Sequence, residues 1–339
     1  MTNYNVVILD DLLPVSHVEI NELKRVGANV NQVSCKTVED IARAAGDAHG
    51  VLKIYTRLTR EAIGELKNCK VISHCGIGLD TVDLDAATEK GIVVTHVPVY
   101  CQEEVAGMAM TLLLACERRI LLLDRMVKSG MWPHTIKMAM GTKSLKGKTL
   151  GLVGFGHIPR TLVPMARAFG LNVIATDPYV DKKTAEQFAV PVVNMDTLLK
   201  TADYISLHVP LNNETEYLIG RKEFSMMKEG AILINTARGK IIDQNALYNA
   251  LKEGPLAFAG LDVLEYEPPQ PDDPLLTLEN VIITGHVAAM TIEAMQRLRL
   301  KAAQGVSAVL AGYWPEVVAN PKVRKKISLS PWPGSENIY

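Results

Sequence analysis

The chain has 339 residues, 48% of them hydrophobic and 22% charged, with a formal net charge of -1. That length accommodates two domains with cores of their own, and the balanced charge, with no basic stripe, supplies no electrostatic footprint for nucleic acid. The five cysteines (Cys35, Cys69, Cys75, Cys101, Cys116) form no CxxC pair and no metal-ligand spacing, so free thiols in a reducing compartment and no bound metal are expected. The N-terminus runs into the apolar Val6 to Leu9 without the basic start and long apolar core of a signal peptide. The longest apolar stretch, Val105 to Cys116, is too short to span a bilayer. A cytoplasmic protein without a membrane partner is expected.

Over the first hundred residues, apolar runs recur at Val6 to Leu9, Val30 to Val33, Val51 to Tyr55, Val71 to Ser73 and Ile92 to Thr95. Amphipathic segments begin between them near Val15, Thr37, Thr59 and Asp83. Alternation of this kind predicts a small five-stranded parallel sheet covered by helices. Its most suggestive loop, Ser73-His74-Cys75-Gly76-Ile77-Gly78-Leu79-Asp80, leaves the carboxyl end of a strand, where ligands of open α/β sheets gather. Two glycines there let backbone N–H groups converge on an anion, although a plain glycine turn has the same spelling.

Gln102 to Leu123 reads as one long helix that is apolar on nearly every side and marks a domain crossover. Such a helix must be covered all round, by the chain's own two domains or by a second subunit, and a homodimer buried along it is expected to supply part of that cover. Ser129 to Lys148 reads as a loop.

Thr149 to Asp177 then gives strand, tight glycine turn, helix and strand. Gly154 permits the turn out of the first strand, and Gly156 lets a pyrophosphate approach the backbone. The N–H groups of His157 and Ile158, in the first helical turn, are placed to bind it. Asp177, about 20 residues on, is where an acid accepts hydrogen bonds from the adenosine ribose and repels a 2′-phosphate, favouring NAD over NADP. Pro159 stands at the third glycine position; a proline in the first turn loses no hydrogen bond, but close helix-to-strand packing comes into question.

Further strands are predicted at Pro191 to Val193, Tyr204 to His208, Ala231 to Ile234, Ala257 to Leu261 and Val281 to Thr284. A final helix, Thr291 to Ala311, is expected to return to the first domain, and a tail from Pro321 onward to be disordered. Three of the strands finish in polar residues that an apolar core does not need: Asn235-Thr236-Ala237-Arg238-Gly239, Asp262-Val263-Leu264-Glu265-Tyr266-Glu267-Pro268 and Gly285-His286. Together they set an arginine, an acid and a histidine at one sheet edge. A guanidinium grips a carboxylate and polarises an adjacent carbonyl. An imidazole exchanges a proton with a substrate oxygen while hydride moves to or from a nicotinamide, and a carboxylate beside it fixes its tautomer.

With these motifs in this order, the chain resembles the D-isomer-specific 2-hydroxyacid dehydrogenase family over almost its whole length. The matching pieces are Gly154-Phe155-Gly156 with Asp177, Leu207-His208-Val209-Pro210 to Thr215, Asn235 to Gly239, Asp262 to Pro268, and His286 followed by Thr291. The resemblance implies a Rossmann-type NAD-binding domain, residues 102–290, inserted in a flavodoxin-like substrate domain, residues 1–101 and 291–320, with 321–339 as the tail. It implies catalysis by Arg238, Glu267 and His286: Arg238 anchors the substrate, His286 is the acid/base and Glu267 its partner. NAD would be held by Gly154, Phe155, Gly156, His157, Ile158, Asp177, His208, Val209, Pro210, Thr215, Thr236, Ala237, Arg238, Asp262 and His286, with Asp262 and the Thr236-Ala237 backbone on the nicotinamide amide. The small 2-oxo or 2-hydroxy acid would meet Lys53, Cys75, Gly76, Ile77, Gly78, Arg238 and His286. Gly285, where the family often has proline, and the bulky Met290 depart from its pattern. Two other readings keep this fold: hydride transfer from another small anion such as formate or phosphite, and a non-catalytic, NAD(H)-sensing corepressor.

Overall fold

The computed structural model describes residues 3–11 and 14–332. It divides into two compact units, Met1–Tyr100 with Thr291–Tyr339, and Cys101–Met290.

The first unit begins with β1 (Tyr4–Ile8), α1 (His17–Lys24), β2 (Ala28–Gln32), α2 (Val38–Ala45), β3 (Gly50–Lys53), α3 (Arg60–Glu65), β4 (Val71–His74), α4 (Leu84–Glu89) and β5 (Val93–His96). All strand pairs are parallel, in the order β2-β1-β3-β4-β5, which is the flavodoxin-like arrangement. Helices cover both faces, so β3 and β4 are buried throughout and their sequences are continuous rather than alternating. Thr37, Thr59 and Asp83 start α2, α3 and α4 by accepting the N–H three residues on.

The second unit opens with α5 (Gln102–Glu117), α6 (Ile120–Lys128), a 3-10 turn at Trp132–His134 and α7 (Thr135–Ala139). The single helix expected to Leu123 is broken: Arg119 adopts φ 53, and its guanidinium donates to the Met138 carbonyl at 2.9 Å and lies 5.6 Å over the Phe258 ring. The expected loop Ser129 to Lys148 contains α7. Then follow β6 (Thr149–Val153), α8 (His157–Ala168), β7 (Asn172–Thr176), α9 (Lys182–Gln187), α10 (Met195–Thr201), β8 (Tyr204–Leu207), α11 (Arg221–Met226), β9 (Ala231–Asn235), α12 (Gln244–Lys252), β10 (Leu256–Leu261) and β11 (Val281–Ile283). The parallel sheet runs β11-β10-β9-β8-β6-β7. The strand expected at Pro191 to Val193 is reduced to one bridge, Ala175 to Val192; Pro191 has no N–H to extend a ladder, and the segment is largely exposed.

Helix α5 packs on α8, β9 and β10 within this unit, burying Val105, Ala106, Ala109, Met110, Leu112 and Leu113. Its apolar surface up to Glu117 is therefore covered largely by α8 and its own sheet, while Ile120 and Leu121, also within the span expected to meet a second subunit, are exposed. The exposed apolar residues lie further on.

Helix α13 (Ile292–Leu310), capped by Thr291, packs on α1, β3, β4 and β5 of the first unit. Beyond it, Pro321–Lys325 forms a 3-10 helix with Val323 fully buried, and the Trp332 ring meets Tyr313 edge-on. The disorder expected from Pro321 is thus corrected for 321–332, and the rest of that tail lies outside the described residues. Among the described residues, no helix is long and apolar enough to cross a membrane. All five cysteines are free thiols.

Candidate active site

In the second unit β6 has β7 on one side and β8 on the other, so the carboxyl end of β6 is a topological switch point, where such sheets bind ligands. The turn leaving it needs its first glycine. Gly154 has φ +94, and a Cβ there would stand 2.6 Å from the His208 carbonyl oxygen. Gly156, the N-cap of α8, has open space where a side chain would be, and the N–H groups of His157 and Ile158 follow it with no intrahelical acceptor. Phe155 is fully buried, its ring edge-on to Phe188, and its N–H donates to Asp177 Oδ2 at 2.8 Å. Asp177 Oδ1 accepts from Tyr179 N, also at 2.8 Å, which fixes the acid beside the turn with lone pairs to spare. Pro159 is buried in the first turn of α8. Arg160, a residue the sequence did not single out, closes the turn by donating Nε–H to the Phe155 carbonyl at 2.8 Å.

On the other side of the switch point, His208 Nε2 lies 2.9 Å from Ser206 Oγ. Burial pushes the imidazole down to about 4, so it is neutral at ordinary pH. Val209 and Pro210 continue the loop, which Thr215 ties by donating to the Pro210 carbonyl at 2.5 Å.

The remaining residues come from three neighbouring strand ends. After β9, Ala237 N donates to Asn235 Oδ1 at 3.0 Å and Asn235 Nδ2 to the Arg238 carbonyl at 2.9 Å; this turn carries Arg238, whose Nη1 donates to the Ala237 carbonyl at 2.8 Å. Gly239 lets the turn lie against the loop after β10: a Cβ there would fall 1.8 Å from the Leu264 carbonyl oxygen. That loop carries Glu267, which accepts Leu264 N at 3.1 Å and lies 2.7 Å from His286 Nδ1 through its other oxygen. Burial raises the Glu267 pKa, but the bond to His286, its charge, the Leu264 N–H and the Arg238 charge together prevail and hold it below its ordinary value.

His286 has φ 58, unusual for a residue with a side chain. Asp262 holds it there. Its carbonyl accepts His286 N at 2.7 Å, and its carboxylate accepts Val287 N at 3.0 Å, Ala288 N at 2.9 Å and the Thr284 hydroxyl. Asp262 is 1% exposed, and this anchoring of the histidine loop was not foreseen from the sequence. Gly285 is not demanded by space, since a Cβ there would meet nothing within 4 Å. Met290 is 38% exposed and fills no core.

In the first unit, the N–H of Cys75 goes to the Lys53 carbonyl at 2.7 Å and that of Gly76 to the His74 carbonyl at 3.0 Å. Among the described residues this leaves the N–H groups of Ile77 and Gly78 without an acceptor. Gly76 is needed because the His74 ring lies beneath it, 2.6 Å from where a Cβ would be. The Ile77 carbonyl sits 2.8 Å from His96 Nδ1. Cys75 is buried, and its thiol is pushed up to about 12, so it is inert. Lys53 is fully buried and turns its ammonium to the Thr81 hydroxyl; burial lowers it to about 8, against the opposing pull of Asp10 and Asp80. Asp10, missed in the sequence although it directly follows an apolar run, takes the N–H groups of Ile54, Tyr55 and Thr56 at 2.6, 3.0 and 2.8 Å.

A dinucleotide fits the second unit on two further counts. Its turn has a glycine cradle open at Gly156, and the Thr236 hydroxyl at the end of β9 is buried without a hydrogen-bond partner among the described residues, as a group awaiting a ligand would be. Residues 110–288 match the family described as D-isomer specific 2-hydroxyacid dehydrogenase, NAD binding domain. The chain belongs to this family. NAD is the cofactor of the matched domain. A D-3-phosphoglycerate dehydrogenase of Methanocaldococcus jannaschii is 42% identical over 91% of this chain and 58% of its own length. A hydroxypyruvate reductase of Thermotoga maritima is 44% identical over 74% of this chain and 81% of its own. Among solved structures, D-lactate dehydrogenase from Aquifex aeolicus, complexed with NAD and lactic acid, superposes with a TM-score of 0.79 at 28% identity, covering 95% of this chain and 98% of that one. The chain spans about half the length of the phosphoglycerate dehydrogenases it matches.

Proposed function

We propose that the chain interconverts a 2-oxo acid and a D-2-hydroxy acid, with NAD(H) as the hydride carrier. The observation that carries this reading is the Glu267–His286 pair at 2.7 Å beside Arg238, on the strand ends next to a dinucleotide turn. Glu267 engages Nδ1, and Nε2 is the His286 atom assigned to the substrate oxygen. In oxidation Nε2 takes the hydroxyl proton as C2 loses its hydride; in reduction the imidazolium returns that proton to the carbonyl oxygen. NAD, when bound, accepts or supplies the hydride. Arg238 presents a planar fork to the substrate carboxylate and carbonyl oxygen, while Asp262 fixes the histidine loop. Residues 102–290 serve as the NAD-binding domain, and 1–101 with 291–320 as the substrate-binding domain. Within the first unit, the N–H groups of Ile77 and Gly78 are the ones suited to a carboxylate, and the Lys53 carbonyl holds Cys75 N at the start of their loop.

The test is NADH consumption with glyoxylate, pyruvate, hydroxypyruvate, oxaloacetate, 2-oxoglutarate and branched or aromatic 2-oxo acids, with formate and phosphite run against NAD as alternative donors. Turnover of one 2-oxo acid, lost in His286→Ala, is the expected result. Turnover of formate or phosphite alone, or none with NADH still bound, would overturn it.

We further propose that two copies of the chain associate in a reducing, cytoplasmic setting, through α6 and α7 rather than α5. Ile120, Leu121, Val127, Met131, Trp132, Ile136 and Met140 are all exposed there, Trp132 and Ile136 at 71%, and an apolar patch of this kind marks an interaction surface.

A further inference from the structure

The two loops flanking the glycine turn are joined by a side-chain bond that the reaction does not use. Tyr179, in the loop after β7, donates its hydroxyl to Glu214 Oε2, in the loop after β8, at 2.6 Å. Because β7 and β8 lie on opposite sides of β6, the bond joins the two loops that flank the carboxyl end of β6.

Both lips of this crevice are stiff as far as these two side chains. On one, Asp177 holds Phe155 N and Tyr179 N through its two oxygens. On the other, Asn212 Oδ1 accepts Glu214 N at 2.8 Å and Thr215 N at 3.1 Å, while Asn212 N donates to Thr215 Oγ1 at 2.9 Å. The pair itself is open to solvent, with Tyr179 79% exposed, and a hydrogen bond between exposed groups is easily exchanged for water. The Tyr179 hydroxyl is pushed above its ordinary range, first by its bond to Glu214 and the charge of that carboxylate, then by burial and by the charge of Asp177. Two carboxylates thus act on one phenol.

We propose that Glu214, positioned by Tyr179, is a second determinant of NAD over NADP, acting with Asp177 at the adenosine end of the site. This rests on the NAD site described above and deepens it. The 2′-phosphate of NADP is close to a dianion at neutral pH, and two fixed carboxylates repel it where the 2′-hydroxyl of NAD can donate a hydrogen bond instead. Asp177 has both oxygens engaged by backbone N–H groups. Glu214 brings a second carboxylate from the opposite lip, and the Tyr179 bond ties that carboxylate to the lip that carries Asp177.

The experiment is direct titration of the full chain with NADH and with NADPH, followed by nucleotide fluorescence, for the wild type, Glu214→Gln and Tyr179→Phe. It reads binding alone, independently of any substrate. Glu214→Gln is expected to raise the affinity for NADPH relative to NADH by roughly 3- to 10-fold at low salt, with the gain shrinking as salt is added, as for exposed charges. Tyr179→Phe should shift the ratio in the same direction by less. An unchanged NADPH-to-NADH ratio in Glu214→Gln overturns the proposal, and an unchanged ratio in Tyr179→Phe alone removes the positioning role of the tyrosine. Failure of the wild type to bind either dinucleotide would overturn the cofactor site and this inference together. Both residues are exposed and outside the core, so circular dichroism of the variants should match the wild type.

Discussion

His286 holds a left-handed backbone that costs a residue with a side chain on the order of 1–2 kcal/mol. The site offsets that cost through Asp262, which grips the residue and its two successors. Replacing the imidazole leaves this grip intact, so His286→Ala should fold normally and lose roughly 10²–10⁴-fold in kcat. Retained turnover would remove the residue from the chemistry. Glu267 acts through the imidazole. Its carboxyl lies below its ordinary value, so it is ionised at neutral pH and holds the ring through Nδ1. Glu267→Gln removes the charge while keeping a side chain of the same shape beside Nδ1, so kcat should fall by up to roughly 10²-fold with KM little changed; an unchanged kcat would contradict the pairing. Gly239 makes the sharpest steric case. A methyl group there would fall 1.8 Å from one backbone oxygen and 2.4 Å from the Glu265 nitrogen, and neither can yield as a side chain would. Gly239→Ala should lower unfolding stability by about 1–3 kcal/mol or more and abolish turnover. Gly285→Ala, with nothing within 4 Å, should change stability little, and urea unfolding of the two variants makes the comparison.

At the scale of elements, strand β3 ends in a lysine with no exposed surface, and this has a consequence for pH. The ordinary Lys53 value of 10.5 falls to about 8 on burial. Between those values the unfolded chain binds the proton and the folded chain does not, so stability rises with pH across that window. The contribution is complete above the unfolded value and is lost as pH falls through 8. Lys53→Met should flatten this slope, by on the order of 2–3 kcal/mol between about pH 8 and about pH 10.5 in urea unfolding. An equal slope in wild type and variant would show that the ammonium is not desolvated. Which elements could be foreseen follows the same physics. Strands buried on both faces leave unbroken apolar runs, so the β1, β6 and β9 segments and the glycine turn were legible, as were Arg238, Glu267 and His286 at strand ends. What depends on one loop meeting another was not. Nothing local marks the break at Arg119, whose guanidinium finds its partner at Met138, 19 residues away. Nor does the sequence show that Asp10 collects three N–H groups from beyond β3, or that Gly239 lies against Leu264. The run at Pro191 to Val193 carries strand chemistry, yet only one bridge forms there.

At the scale of the molecule, seven exposed apolar side chains follow one another from Ile120 to Met140, along α6, the 3-10 turn and α7. These helices are pinned rather than loose. Buried Glu117 accepts the Tyr204 hydroxyl at 2.9 Å and the Lys143 N–H, and Arg119 holds Met138 and lies over Phe258. The patch is thereby presented in one conformation, and a surface ordered before it binds loses less entropy on association. A second copy of the same chain meets it with an equally ordered patch, and C2 pairing of like surfaces is the commonest way to close such an assembly. Light scattering of the wild type at micromolar concentration should therefore give twice the chain mass. Trp132→Glu sets a charge at the most exposed ring of the patch, where burial against a partner would strand it without a counter-ion. It should give the single-chain mass while leaving NADH binding in place, because the switch point at β6 uses no residue of α6 or α7. A monomeric wild type would remove the proposed pairing, and a dimeric Trp132→Glu would move it to another face.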